Sequence, residues 1–307
     1  MAAKIAESSA RLRQIQDCSP AEARAMRAER GNPFAPAACE EVRVVHSVIP
    51  LGDVEIPVRR YYPEGAAEAP LPALVYFHGG GYVLGDVAQY DTLTQQLARL
   101  SGCVVVSVDY RLAPEVKSAQ IFDEAFAAYR WVREHGADWG IDTQRLAVGG
   151  DSAGGNLSIA VGLSCREQGY RQPEFQLLWY PATDYSMRHP SIDEFAEGFF
   201  LSKAGMEWFR GHFLEESSRG DDPKVSPLRA DLHGLAPAFV LTAGFDPLRD
   251  EGEAFAKRLA EHGVRVQHVC YTDMIHAFIS FAGGISAGME AIQESAILLR
   301  EALGLEA

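Results

Sequence analysis

The sequence predicts an α/β protein, with one sheet of about eight mostly parallel strands wound on both faces by helices. Three observations point there. Short apolar runs alternate many times with stretches of helical period. The runs lack the polar alternation of a half-exposed sheet, as expected for strands buried on both faces. A β-rich pair of segments at the start reads as an antiparallel hairpin on one edge. All 307 residues are assigned to a single domain, since folds of this class reach such a length as one unit.

The elements follow in order. Arg43 to Ile49 and Val54 to Tyr62 form the hairpin, joined by Pro50-Leu51-Gly52-Asp53. Apolar runs at Ala73–Phe77, Cys103–Val108, Leu146–Gly149, Phe175–Trp179, Ala238–Ala243 and Val266–Tyr271 supply the remaining strands. Helices are expected near Thr92–Leu100, Asp123–Glu134, Ala153–Glu167, Asp250–His262 and Met289–Leu303. Two segments break the alternation. Residues 1–42 read as helical and precede the first strand. Residues 185–225 hold a helix near Lys203–Phe213 and the aromatics Phe195, Phe199, Phe200, Trp208 and Phe209. So many aromatics outside the sheet pattern suggest a lid over the carboxyl ends of the strands, where open α/β sheets bind ligands. The pocket residues expected from this are Tyr82, Tyr185, Phe199, Phe200 and Phe209.

Composition narrows the function. The chain carries 42 acidic and 28 basic residues, a net charge of −14, which argues against a nucleic-acid partner, whose phosphates call for clustered Lys and Arg. No apolar run approaches the ~18 residues of a membrane helix, so no membrane association is expected. The first thirty residues lack the apolar core of a signal peptide. The five cysteines, at 18, 39, 103, 165 and 270, are scattered and form no C-x-x-C pair. Free thiols and a cytoplasmic location are the expectation.

The strongest local signal is Gly150-Asp151-Ser152-Ala153-Gly154, a G-x-S-x-G between a strand and a helix. Small residues two before and two after the serine let strand and helix approach on a sharp turn. The turn lifts the Ser152 hydroxyl above the sheet and aims the Ala153 N–H at a developing oxyanion. Asp151 either tunes this site or is an acid favoured by the helix N-terminus. The second signal is His78-Gly79-Gly80-Gly81-Tyr82 after the strand Ala73–Phe77, whose glycines can fold back and present N–H groups to an anion. A nucleotide loop is the rival, but neither G-x-G-x-x-G nor the P-loop pattern is satisfied. A nucleophilic serine needs a base held by a carboxylate, in the chain order Ser, acid, His. Asp246 follows the strand Ala238–Ala243, and His276 follows the strand ending at Tyr271. Asp250 is the nearest rival acid. No H-x-x-x-H or H-E-x-x-H occurs, so no metal is expected. Asn156-Leu157-Ser158 matches a glycosylation sequon by chance alone.

These motifs together resemble the hormone-sensitive-lipase-like esterases, α/β-hydrolases of the GDSAG type. The resemblance is carried by HGGGY at 78–82, DYRLAPE at 109–115, GDSAGGNL at 150–157, AGFDPLRDEG at 243–252 and IHAF at 275–278, and runs from about residue 40 to the C-terminus. It implies an α/β-hydrolase fold whose helical cap corresponds to about 1–42 and 185–225. It implies Ser152 as nucleophile, Asp246 and His276 as its partners, and Gly80, Gly81 and Ala153 as oxyanion donors. His78, Gly79, Gly150, Asp151 and Gly154 support the motifs. Two departures stand out: Val116 to Phe122 replaces the usual aromatic-Pro-Ala run, and Ala277 stands where the family has Gly.

The resulting expectation is a serine carboxylesterase acting on short to medium acyl esters with no cofactor. An amide hydrolase of the formamidase or deacetylase type would use the same residues. A non-catalytic ligand-binding protein of the same fold is the alternative from another class. The last strand, 264–271, carries Val264, Val266 and Val269 and no proline, so an open edge there could pair two copies into a homodimer.

Overall fold

The computed structural model describes Lys4 and residues 13–66, 69–215 and 220–305. Eight strands form one sheet: β1 (Arg43–Leu51), β2 (Val54–Tyr62), β3 (Leu71–Phe77), β4 (Val104–Val108), β5 (Ile141–Asp151), β6 (Gln176–Trp179), β7 (Ala238–Phe245) and β8 (Val266–Ile275). Their order is β1-β2-β4-β3-β5-β6-β7-β8. β1 and β2 pair antiparallel, as do β2 and β4, and every further pair is parallel.

The described helices of the main body are α1 (Pro20–Arg30), α2 (Asp91–Ser101), α3 (Ser118–His135), α4 (Ala153–Glu167), α5 (Pro190–Glu194), α6 (Lys203–Phe213), α7 (Arg249–Glu261) and α8 (Ser286–Ala302). The sheet separates two apolar layers. Ala73, Val75 and Phe77 of β3, with Val104, Val106 and Val108 of β4, pack under α3 and α4. Leu74, Tyr76 and Val105 point the other way, towards α2 and α8. Neighbouring residues in a strand face opposite sides, so an unbroken apolar run fills both layers.

Three expectations need correction. The hairpin turn is shorter than expected: β1 runs through Pro50 to Leu51, leaving Gly52-Asp53 as the loop. Pro50 is tolerated because β1 is an edge strand. The outer strand β8 is not buried on both faces: Gln267, His268, Thr272 and Asp273 are exposed, as an edge allows. Residues 13–42 are only partly helical. After a short turn at Ile15–Asp17, α1 starts on a Ser19–Glu22 capping box and stops at Gly31, with Pro33 following. Most of residues 1–12 lie outside the described residues.

The segments 13–42 and 185–215 meet over the carboxyl ends of the strands. Trp208 of α6 donates to the Cys18 carbonyl. Arg24 of α1 donates to the carbonyls of Val83 and Ala113 and forms a two-point ion pair with Glu115. Asn32 reaches the Ser280 carbonyl, just past β8. The N-terminal segment is thereby fastened to the glycine loop, the DYRLAPE loop and the turn after His276.

Candidate active site

β5 delivers the serine. Ser152 has φ 56° and ψ −116°, a left-handed conformation that costs a non-glycine residue about 1–3 kcal/mol. Its N–H is held by the Trp179 carbonyl of β6, and α4 begins at the next residue. The turn closes only because Gly154 has no side chain, since a Cβ there would lie 1.9 Å from the Phe77 carbonyl oxygen. The adjoining Gly150 pairs in register with Phe77. The backbone of β3 therefore supports the elbow from below.

β7 and β8 deliver the partners. His276 Nε2 lies 3.0 Å from the Ser152 hydroxyl, and His276 Nδ1 lies 2.7 Å from Asp246 Oδ2. The other Asp246 oxygen accepts the Leu248 N–H at 2.8 Å. Asp246 is fully buried and His276 nearly so, and the Tyr180 ring packs 4.9 Å from the imidazole. With Nδ1–H donated to the carboxylate, Nε2 is left to accept a proton from the serine. β8 runs on to Ile275, so His276 follows the strand directly and not after a loop. Ala277 then takes φ 62°, which explains why glycine is usual there. The rival Asp250 is engaged elsewhere. It accepts the Ser191 N–H and pairs with Arg249, tying α7 to α5.

The glycine loop is set by Asp151. This buried carboxylate accepts from the hydroxyls of Tyr76 and Tyr90 and from the Gly79 N–H, at 2.7, 3.1 and 2.9 Å. Burial raises its pKa, partly offset by those donors. The bond uses up the first N–H of the glycine run. The N–H groups of Gly80 and Gly81 enter none of the described hydrogen bonds, and both residues line the same cavity as Ser152 and Ala153. A Cβ on Gly80, whose φ is +118°, would meet the Leu84 carbonyl at 2.1 Å. His78 lies beneath, fully buried and stacked on Tyr110 at 4.5 Å. Burial lowers its pKa to about 4, so it is a neutral packing element. Asp151 therefore ties the glycine loop to the serine turn through its bond with the Gly79 N–H.

Above this floor lies a cavity of about 570 Å³, lined among others by Tyr185, Phe200 and Phe209. Phe209 sits directly over Gly81. Two expected pocket residues do not reach the cavity. Tyr82 is fully buried behind the wall, stacked on Phe213 at 3.7 Å. Phe199 packs against Phe195 and Phe245 instead. Sequence reasoning missed Tyr76, Tyr90 and Tyr180, which hold Asp151 or pack on His276; their signal was only that of core aromatics. It also missed the contribution of α1, including Arg27 and Arg30. Asn156 is buried and donates to the carbonyls of Ala182 and Val225, so its sequon is not accessible. All five cysteines are free. Among the described residues, the one group of metal-type side chains is Asp231, His233 and His262, on the surface away from the cavity. No helix among these residues is long and apolar enough to cross a membrane.

Comparison with known proteins agrees with this architecture. The sequence profile of the alpha/beta hydrolase fold family matches residues 74–280. The carboxylic ester hydrolase LipN of Mycobacterium tuberculosis is 43% identical over 244 residues, covering 76% of this chain and 64% of that protein. The chain thus spans just under two thirds of that relative. An ethyl acetate hydrolase of Pseudomonas putida is 38% identical over 251 residues, covering 81% of this chain and 78% of that protein. Among solved structures, an ester hydrolase from the metagenome of Lake Arreo, complexed with a bipyridine phosphonate derivative, superposes with a TM-score of 0.93 at 41% identity. That match covers 98% of this chain and 96% of the other. The chain belongs to the α/β-hydrolase fold family and, within it, to the hormone-sensitive-lipase-like ester hydrolases.

Proposed function

We propose that the chain hydrolyses carboxylic esters with short to medium acyl groups, through an acyl-enzyme on Ser152. The observation that carries this reading is the continuous relay from Ser152 through His276 to Asp246, at 3.0 and 2.7 Å, opening into the cavity. His276 takes the serine proton as Oγ attacks the carbonyl carbon, and Asp246 holds the imidazole in the useful tautomer. The N–H groups of Gly80, Gly81 and Ala153 receive the oxyanion. The intermediate collapses as His276 returns the proton to the leaving alcohol. Water then repeats the sequence on the acyl-enzyme and releases the acid. No cofactor takes part in these steps.

The cap of this single domain is assigned to about 1–42 and 185–225, and its aromatics limit the acyl chain. A cavity of about 570 Å³ suits a small ester and not a long lipid chain. Its largely apolar wall favours esters over amides. A series of p-nitrophenyl esters tests this: kcat/KM should peak at short to medium acyl chains. Better turnover of emulsified long-chain triglyceride than of butyrate esters would overturn it. The free thiols fit a cytoplasmic setting. β8, bonded on one side to β7, offers its other edge for pairing two copies. Light scattering at micromolar concentration reads that pairing, and a clean monomer mass would refute it.

A further inference from the structure

The wall that α1 contributes to the cavity carries two arginines, Arg27 and Arg30. Arg27 is half-buried. Its Nε donates to the Gln89 side-chain oxygen at 2.5 Å, and its guanidinium carbon lies 6.0 Å from the centre of the Tyr90 ring. Tyr90 in turn donates to Asp151, the residue before Ser152. Arg27 therefore stands one tyrosine and one carboxylate away from the serine; Gln89 and Tyr90 are neutral, and the acid beyond Gln89, Asp86, accepts the Gln89 backbone and side-chain N–H groups. Arg30, at the rim, has no ion pair among the described residues. The third arginine of the lining, Arg13, is already paired with Glu22.

The acids of the cavity leave this charge in place. Asp151 is occupied by three donors, and Asp184 by His189 and Arg229. Burial raises Glu251 to about 8, so it is uncharged at neutral pH. In a chain with 42 acidic and 28 basic residues, two cations without an acidic partner on one cavity wall run against the composition. A guanidinium presents a planar fork of donors that fits a carboxylate, and a half-buried one is weakly screened by solvent.

We propose that the cavity selects esters bearing a second, free carboxylate, such as half-esters of dicarboxylic acids, with Arg27 as the group that binds the carboxylate and Arg30 as a supporting charge at the rim. This rests on the ester-hydrolase reading above. In this arrangement the scissile carbonyl sits at Ser152 and the acyl chain points past Tyr90 toward Arg27, all three residues lining the same cavity.

The test compares p-nitrophenyl hemiglutarate with p-nitrophenyl valerate, which differ in the terminal carboxylate, as a ratio of kcat/KM within each enzyme. The wild type should favour the anionic ester. Arg27→Gln should lower the ratio about 10- to 100-fold, the worth of a charge-assisted hydrogen bond. Arg27→Lys should keep part of it, Arg30→Gln should lower it less, and added salt should narrow it. An equal ratio in wild type and Arg27→Gln would overturn the proposal. Calorimetry on Ser152→Ala gives a readout independent of turnover. Monomethyl glutarate should bind more tightly than methyl valerate, and the advantage should vanish in the Ser152→Ala/Arg27→Gln double variant. An advantage that persists in the double variant, or is absent from the single one, refutes the carboxylate site. Carboxylate binding without turnover of any ester would instead refute the ester-hydrolase reading.

Discussion

The floor and the wall of the cavity are built on different principles. The floor, from Gly150 to Gly154 with the loop at 78–81, is backbone chemistry. A strained serine and glycines packed against carbonyl oxygens leave little freedom for substitution. The wall, from α1 and residues 185–215, is side-chain chemistry. Phe200 meets Phe281, Phe209 covers Gly81, and Arg27 rests by Tyr90. Rings can be exchanged there without moving a strand. On the proposed reading, the difference teaches that the floor fixes the reaction and the wall the choice of ester.

The sharpest way to break this comparison is to disturb the floor without touching the relay. In Gly154→Ala the new methyl meets the Phe77 carbonyl, which the β3 ladder prevents from moving. The elbow must shift by about 1 Å, and kcat/KM should fall about 10²-fold or more on every ester, whatever its chain length. Near-normal kinetics would show that the floor is softer than its contacts imply. Phe209→Ala should act in the opposite style. Butyrate turnover should change less than about tenfold, a wall effect of about 1 kcal/mol. The preferred acyl chain should lengthen as the space over Gly81 opens. A uniform loss across the series would place Phe209 with the floor.

Glu251 joins the two regions. Its carboxylate accepts the N–H groups of Thr183 and Asp184, where the chain leaves β6 for the wall. Burial raises its pKa from 4.5 to about 8. The unfolded chain releases this proton above about 4.5, while the folded chain keeps it until about 8. Its contribution to stability therefore declines as pH rises through that window. Glu251→Gln keeps an acceptor oxygen and abolishes the titration, so the variant should gain in Tm relative to wild type on going from pH 5 to pH 8.5. A Tm difference independent of pH would contradict the raised value. The smallest effect is expected at Ala277, held at φ 62°. Ala277→Gly should stabilise the protein by about 1 kcal/mol, read as a higher denaturation midpoint at unchanged slope.

The same division explains what was legible in the sequence. Floor residues announce themselves because only glycine fits at Gly80 or Gly154 and only a few orders of Ser, Asp and His serve an α/β sheet. Strand cores were readable because both faces of β3 to β7 are apolar. β8 was misjudged because its apolar residues sit among exposed polar ones, as at an edge. The wall was legible only as an excess of aromatics. Nothing local to Tyr82 or Phe199 distinguishes a ring that stacks behind the wall from Phe209, which lines the cavity. Arg27 was hidden for the same reason: its neighbours Gln89 and Tyr90 lie some sixty residues away in sequence.

The central claim is that Ser152, activated through His276 and Asp246, is the nucleophile. It is tested most directly by reacting the protein with an activated phosphonate ester and locating the adduct by tandem mass spectrometry. One equivalent should attach to Ser152, with ester hydrolysis lost in step with labelling. His276→Ala should slow the labelling about 10³-fold or more. A label on another residue, full activity in the labelled protein, or an unchanged rate in His276→Ala would contradict the account.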